Sequence, residues 1–172
     1  MRSPADAVQH PRMSLAPKPP AASKVEMTEL VMPTDGNALG TAFGGRIVQW
    51  TDLAAGVCAM RHAGVPCVTV SIDQLTFLAP IRIGHVAMLE AQVNAVFRSS
   101  MEVGVEVVAE NPLTGERHLC CDAYLSFVAL GPDKRPTEVP PLRVETDEEK
   151  RRERDAHTRR AARLALREAL CK

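Results

Sequence analysis

The sequence predicts an α+β fold in which an antiparallel sheet wraps one long helix. A helix-length stretch rich in small apolar residues lies between residues 43 and 63, and four strand-length segments follow it, joined by turns. Their side chains alternate between apolar and polar, which is typical of strands that bury one face and pair antiparallel. The regular alternation of helices and strands that marks a parallel α/β fold does not occur in this order of segments.

Length, composition and charge fit one globular domain with no general affinity for a charged polymer. The chain has 172 residues, of which 45% are hydrophobic, and 21 basic side chains balance 21 acidic ones to a formal net charge of zero. This balance creates no overall field that favours nucleic acid or an anionic membrane, so neither is expected as a partner. An anionic ligand would therefore need a local basic cluster.

The cysteines and the N-terminal residues predict a cytoplasmic location. No C-x-x-C spacing occurs, so buried free thiols in a reducing compartment are expected rather than a disulfide framework or a metal site. The five cysteines are Cys58, Cys67, Cys120, Cys121 and Cys171. No apolar segment has the position of a secretory leader or the length of a membrane span.

The first segments of the chain are predicted from prolines, glycines and alternation. Residues 1–23 contain five prolines and few aliphatic side chains, so a disordered extension is expected before a folded domain at residues 24–142. Alternating side chains at residues 25–31 predict a strand. The long helix is expected to end at Gly64 and Pro66. One face is predicted to be mostly small, which lets a sheet approach closely; it consists of Gly45, Val48, Asp52, Ala55, Gly56 and Ala59.

Four strands are predicted after the helix, at about residues 67–78, 86–97, 101–110 and 118–130. Their expected inward residues are Ala87, Leu89, Ala91, Val93, Ala95 and Phe97, then Met101, Val103, Val105 and Val107, then Leu119, Cys121, Ala123, Leu125, Phe127 and Ala129. A proline-rich linker leads to a charged helical unit at residues 143–172, in which Thr146 and Glu149 form a capping box. Its mixed charges and weak apolar stripe fit a solvated or packing helix.

Asp52 is the candidate catalytic residue. It is the only charged residue between Ile47 and Met60, and a carboxylate inside an apolar helix costs several kcal/mol unless something compensates it. No basic residue lies three or four positions away to form an ion pair. The predicted role is a general base or nucleophile; the structural alternative is a buried acid held by backbone N–H groups or an arginine.

The start of the same helix offers candidate donors. Gly44 and Gly45 could leave bare N–H groups that stabilise an oxyanion, or they could simply allow close helix–sheet packing. Asn37, in the loop before them, could orient water or a substrate carbonyl, or it could close an Asx-turn.

Other polar residues suggest anion binding rather than catalysis. Arg98, Ser99 and Ser100 lie between two predicted strands, where they could contact phosphate or form a plain hairpin turn. Lys134 and Arg135 form a second small cluster of basic side chains, which could also bind an anionic ligand. The histidines have no catalytic or zinc-binding spacing, and no P-loop or Rossmann motif is present.

Three blocks of sequence carry a family resemblance. They are Asn37-x-x-Gly40-x-x-Phe43-Gly44-Gly45 leading to Trp50-x-Asp52, then Val68-Thr69-Val70 leading to Phe77-x-x-Pro80-Ile81-x-x-Gly84, then Arg98-Ser99-Ser100-Met101-Glu102-Val103. In this order, over about residues 25–140, they resemble the acyl-CoA thioesterases of the hotdog fold, in the bacterial branch related to the brain-type acyl-CoA hydrolases. The residues at Leu39 and Thr41 differ from those common in the family, which leaves the acyl preference open.

The resemblance implies hydrolysis of acyl-CoA at a subunit interface, with Asp52 activating water or attacking the thioester. Asn37 would act across the interface, and Gly44 and Gly45 would polarise the carbonyl. Thr69 would line the pocket, and Arg98, Ser99 and Ser100 would contact the nucleotide. It also implies a dimer, assembled further as a trimer of dimers, and no metal or cofactor apart from the coenzyme A of the substrate.

Two alternatives have other functions. A hotdog hydratase or dehydratase would use a histidine with the acid, and neither the helix nor its entry loop contains one. A non-catalytic acyl-CoA-binding regulator would carry a DNA-binding helical segment, for which residues 1–23 are too short and too rich in proline.

Overall fold

The computed structural model describes residues 15–170 and confirms the predicted α+β architecture. Its main elements are β1 (Val25–Leu30), α1 (Gly44–Ala63), β2 (Cys67–Phe77), β3 (Val86–Val96), β4 (Ser100–Glu110), β5 (Arg117–Ala129) and α2 (Asp147–Leu170). All strand pairs are antiparallel, in the order β1-β3-β4-β5-β2, so β1 and β2 are the edges of one five-stranded sheet. Helix α1 packs on the inner face of this sheet.

Helix α1 ends at a glycine cap, and the face that it buries differs in part from the predicted face. Gly64 adopts a left-handed conformation (φ 72°), and its N–H donates to the Met60 carbonyl, which closes the helix. The buried side chains are Ile47, Trp50, Thr51, Ala54, Ala55, Cys58, Ala59 and His62. The predicted face was therefore only partly right: Ala55 and Ala59 are buried, but Val48, Asp52 and Gly56 lie half-buried on the flank and Gly45 is exposed. The bulky Ile47 and Trp50 determine which side meets the sheet.

Bulges change which strand residues face inward. An irregularity at Asn94 lets Ala95 pair with Glu102 on the outer face, and Phe97 packs against His157 and Arg160 of α2. The prediction that Ala95 and Phe97 face inward with the preceding alternate residues of β3 was therefore wrong. A second irregularity lets Val107 pair with Cys121 and Val108 with Leu119. Cys120 and Cys121 are consequently both buried, whereas Leu119 is 43% exposed. Each bulge adds one unpaired residue and so reverses the alternation beyond it.

Helix α2 covers the outer face of the sheet instead of extending into solvent. Its arginines reach acids that project outward from the strands: Arg159 pairs with Glu102, and Arg163 pairs with Asp73. The Arg159 guanidinium also lies 3.6 Å from the centre of the Tyr124 ring. The predicted capping box is confirmed, since the Glu149 N–H donates to Thr146 Oγ1 and the Thr146 N–H donates to the Glu149 carboxylate.

The N-terminal segment is more ordered than predicted. The Lys18 N–H donates to the Pro141 carbonyl, and the Arg143 N–H donates to the Lys18 carbonyl, both at 2.9 Å. Ser23 is fully buried. The expectation of disorder was therefore wrong for residues 15–23, while residues 1–14 lie outside the described residues, as do Cys171 and Lys172. Among the helices between residues 15 and 170, none combines the length and the hydropathy that a membrane span requires.

Candidate active site

The structure joins two of the predicted site residues by a hydrogen bond. Thr69 Oγ1, on β2, donates to Asp52 Oδ1, on α1, at 2.7 Å. The second carboxylate oxygen, Oδ2, accepts no hydrogen bond from any residue in the range 15–170. Asp52 is half-buried rather than enclosed, and Leu53 and Val57 on the same helix are exposed. One oxygen is thus oriented by a hydroxyl while the other remains available to a ligand.

The glycines at the helix start leave unused donors. Phe43, at the N-cap, makes no side-chain capping bond, and within residues 15–170 no acceptor is assigned to the N–H groups of Gly44 and Gly45. A Cβ at Gly44 would lie 3.3 Å from the Phe77 ring, and one at Gly45 would lie 2.6 Å from the Phe43 ring. Glycine therefore keeps the helix N-terminus open, which is the arrangement that favours a polarised carbonyl.

The glycines and Asp52 do not converge within one chain. Asp52 lies seven and eight positions after Gly45 and Gly44 on α1, which corresponds to about 11–12 Å along the helix axis. A carboxylate and an oxyanion donor must both lie within about 3–3.5 Å of one thioester group. The expected grouping of Asp52 with Gly44 and Gly45 is therefore not formed by a single copy of the chain.

An apolar groove adjoins the open helix start. Its volume is about 360 Å³, and Gly44, Phe77, Leu78, Ala79 and Ile81 are among its lining residues. Phe77 and Leu78 are about half exposed. The sequence marked Phe77 only as part of the family resemblance, and its place beside Gly44 could not be read from the order of residues.

Asn37 forms the Asx-turn that was its structural alternative. Its Oδ1 accepts from the Leu39 N–H at 2.9 Å and the Thr41 N–H at 3.3 Å, and its Nδ2 donates to Thr41 Oγ1 at 3.0 Å. No hydrogen bond joins Asn37 to Asp52 within the described part of the chain. The turn holds the loop that leads to Gly44, and a catalytic role for Asn37 stays a prediction.

The predicted phosphate contacts lie at one end of the sheet. Arg98 is exposed, makes no ion pair within residues 15–170, and lines a cavity of about 480 Å³. The Ser99 carbonyl accepts from the Ala129 N–H, and the Arg98 carbonyl accepts from the Val139 N–H, so backbone pairing fixes this turn. Lys134 and Arg135 lie exposed in the turn that follows β5. Their binding roles remain predictions.

The thiols are poorly suited to act as nucleophiles. Burial raises the pKa of Cys58, Cys67 and Cys121 to about 11, so these groups are protonated at neutral pH. Cys58, Cys67, Cys120 and Cys121 are free, as predicted. Residues 15–170 contain no group of three or more histidine, cysteine or acidic side chains that could hold a metal ion.

Comparison with known proteins gives one consistent result. The model of the Thioesterase superfamily matches residues 39–116. A Bacillus subtilis protein named as the uncharacterized acyl-CoA thioester hydrolase YkhA is 42% identical over 127 residues, which cover 74% of this chain and 74% of that protein. An apo-hexameric acyl-CoA thioesterase superposes with a TM-score of 0.85 and 38% identity, over 88% of this chain and 97% of the other.

An acyl-CoA hydrolase from Staphylococcus aureus is also similar. Its complex with butyryl coenzyme A and coenzyme A superposes with a TM-score of 0.82 and 34% identity, over 90% of this chain and 99% of that one. Structures of the same enzyme exist with an aspartate, an asparagine or a threonine replaced by alanine.

Proposed function

We propose that this chain, which belongs to the thioesterase superfamily of hotdog-fold proteins, hydrolyses acyl-CoA thioesters at a site centred on Asp52. The observation that carries the proposal is the hydrogen bond from Thr69 to Asp52, which leaves Oδ2 open. The family resemblance read from the sequence is confirmed by the comparisons. Hydrolysis of acyl-CoA is the activity named for the related proteins.

The spacing of three residues supports the assignment of the site. In the Staphylococcus aureus enzyme, the asparagine, aspartate and threonine that were replaced are separated by intervals of 15 and 17 residues. The same intervals separate Asn37, Asp52 and Thr69 in this chain. These are the residues that the sequence predicted as catalytic or pocket-lining.

The chemistry requires one basic oxygen and a polarised carbonyl. In the water route, Asp52 Oδ2 takes a proton as the water oxygen bonds to the thioester carbon, the C–S bond breaks, and the sulfur of coenzyme A leaves and is protonated. In the direct route, the same oxygen bonds to the thioester carbon, the C–S bond breaks, and the sulfur of coenzyme A leaves and is protonated; water then attacks the aspartyl carbon of the resulting anhydride and releases the acid. A single turnover in isotopically labelled water distinguishes the two routes, because only the direct route transfers the label to Asp52.

Two copies of the chain are needed to complete this site. Because Asp52 and the glycine N–H groups of one helix lie about 11–12 Å apart along the axis, we infer that Gly44, Gly45 and Asn37 serve the Asp52 of a second copy. The uncovered edge strand β2 suits this pairing, since an exposed apolar edge readily accepts another strand. Val68, Val70 and Ile72 on β2 are each more than 40% exposed. Three such pairs would form a trimer of dimers.

The remaining substrate contacts follow from charge. The guanidinium of Arg98, which forms no ion pair with any residue between 15 and 170, would bind phosphate groups of coenzyme A together with the hydroxyls of Ser99 and Ser100. Lys134 and Arg135 would add a second positive point at the same end of the sheet. No protein-bound metal or cofactor takes part in the proposed reaction, and a cytoplasmic location is proposed with it.

Replacing Asp52 by asparagine tests the proposal. The change keeps the side-chain shape but removes the basic oxygen, so kcat for thiol release from acyl-CoA should fall by about 100-fold or more. Asp122→Asn is the matched control, because Asp122 is also half-buried but lies on the outer face of β5; it should keep normal activity. Undiminished turnover in a folded Asp52→Asn variant would reject the assignment.

A further inference from the structure

Two irregularities in β2 redirect its side chains near the proposed site. In a regular strand, Thr69, Ser71 and Asp73 would all point to the same face. The pairing with β5 instead skips Val70 and Asp73: Thr69 pairs with Phe127, Ser71 with Ser126, Ile72 with Leu125 and Gln74 with Tyr124. Thr69 therefore faces α1 and Asp52, whereas Ser71 shares the outer face with Ser126.

A buried polar cluster under α2 holds this irregular segment. The Asp73 carboxylate, only 5% exposed, accepts from Ser71 Oγ at 2.5 Å, from Ser126 Oγ at 3.1 Å and from the Arg163 guanidinium. Arg163 also donates to Ser126 Oγ at 2.7 Å. Asp73 is itself the extra residue of one bulge. The outward-facing side chains of this segment are thus held by Arg163 of α2. Arg163 lies on the opposite side of the sheet from Asp52.

We propose that Arg163 and Asp73 form a latch that positions Thr69 against Asp52. Three residues lie between Thr69 and Asp73, on an edge strand whose other side is unpaired within the described chain. Bulges beside active sites commonly re-aim a side chain, and here the charge pair stabilises the bulges that give Thr69 its direction. Arg163 is a positioning residue, since it acts through β2 and touches no reacting atom.

The latch differs from the second buried ion pair of α2. Arg159 and Glu102 are similarly buried, with side chains 20% and 2% exposed, but Glu102 belongs to the central strand β4. Neither residue hydrogen-bonds to β2. Both pairs join an arginine of α2 to an acid of the sheet, and both are buried to a similar degree. They differ in the strand that carries the acid, which is β4 for Glu102 and β2 for Asp73. Arg159→Gln is therefore a matched control for Arg163→Gln.

The inference rests on the proposed role of Asp52, and a double-mutant cycle tests it. Arg163→Gln should lower kcat about tenfold with little change in KM, as expected when catalytic groups are misplaced rather than removed. Arg163→Lys should recover part of the loss. In a Thr69→Val background, Arg163→Gln should lower kcat by less than about twofold, because coupled residues are not additive. Arg159→Gln should leave kcat unchanged while lowering thermal stability to a similar degree.

The outcomes separate this inference from the proposed function. If Thr69→Val lowers kcat but Arg163→Gln does not, or if the two effects multiply, the latch is rejected and the site stands. If Arg159→Gln lowers kcat as much as Arg163→Gln, loosening of α2 explains the result and the latch is rejected. If Thr69→Val itself leaves kcat unchanged, the proposed site fails and the latch with it. Should Arg163→Gln fail to fold, the neutral pair Asp73→Asn with Arg163→Gln is measured in the same cycle.

Discussion

Asp52, Asp73 and Glu102 are half-buried or buried acids, but their hydrogen-bond partners differ in charge. Asp73 and Glu102 are paired with arginines, which hold the negative charge and occupy the carboxylate oxygens. Asp52 is held by the hydroxyl of Thr69 at one oxygen alone. A hydroxyl orients a carboxylate without neutralising it, so the charge of Asp52 remains available to a reacting group.

His62 gives the fold a pH-dependent stability that is independent of the site. It is fully buried, its Nδ1 lies 3.4 Å from Ser23 Oγ, and its Nε2 lies 3.0 Å from the Pro140 carbonyl. Burial lowers the pKa of His62 below its usual value of 6.5, and the nearby charge of Lys18 acts in the same direction. The unfolded chain therefore binds a proton more readily than the folded one as the pH falls below that value.

We expect His62 to make the free energy of unfolding pH-dependent. Its contribution should be greatest above about pH 6.5 and should decrease as the pH falls below that value. Denaturant unfolding at about pH 8 and pH 5.5 measures the difference. His62→Gln keeps a donor and an acceptor but does not titrate, so the difference should shrink. Replacing the exposed His118 by glutamine is the control and should leave it unchanged. An unaltered pH dependence in His62→Gln would contradict the expectation.

At the scale of elements, periodicity located the helices and strands but not the bulges between them. Alternation placed each strand to within about two residues, because one face is apolar throughout. A bulge adds one residue without any sign in composition, so Leu119, Ala95 and Phe97 were assigned to the wrong face. The packing of α2 on the outer face of the sheet could not be predicted from local sequence either, because its contacts are ion pairs with acids that are distant in sequence.

The candidate site shows the same division. Asp52 stood out because a charge interrupts an apolar helix, and Gly44 and Gly45 because a glycine pair can leave bare N–H groups at a helix start. Thr69 was found only through the family resemblance, and its bond to Asp52 depends on two bulges that no local pattern reveals. The roles of Arg163 and Asp73 likewise required the three-dimensional arrangement.

The start of α2 provides a local test of how that helix is held. Thr146→Ala removes the hydroxyl that caps the Glu149 N–H and should cost about 1 kcal/mol of stability. In a domain of this size, that loss lowers Tm by about 2–4 °C, which calorimetry can measure. Thr158→Ala is the control, because Thr158 lies within the helix and only donates to the Arg154 carbonyl; it should be nearly neutral. Equal effects of the two changes would contradict the capping role.

At the scale of the whole molecule, α1 and the edge strand β2 both leave apolar side chains exposed. They are Leu53, Val57 and Met60 on α1, which carries Asp52, and Val70 and Ile72 on β2, which carries Thr69. Contiguous apolar surface on an edge strand is normally covered by another chain. A second copy of the chain that covered these side chains would bury them and, as proposed, would also complete the site.

A mixing experiment tests whether two copies share each site. Asn37→Asp keeps the acceptor that closes its turn but loses the amide donors, and Asp52→Asn loses the basic oxygen; each variant alone should be nearly inactive. If Asn37 of one copy serves Asp52 of the other, half of the dimers formed by refolding an equal mixture carry one intact site, so about a quarter of the normal activity should return. A mixture of Asp52→Asn with Thr69→Val is the control, because both changes affect the same half-site and no activity should be regained. Failure of the first mixture to regain activity, with mixed dimers demonstrated by mass spectrometry, would show that each chain completes its own site.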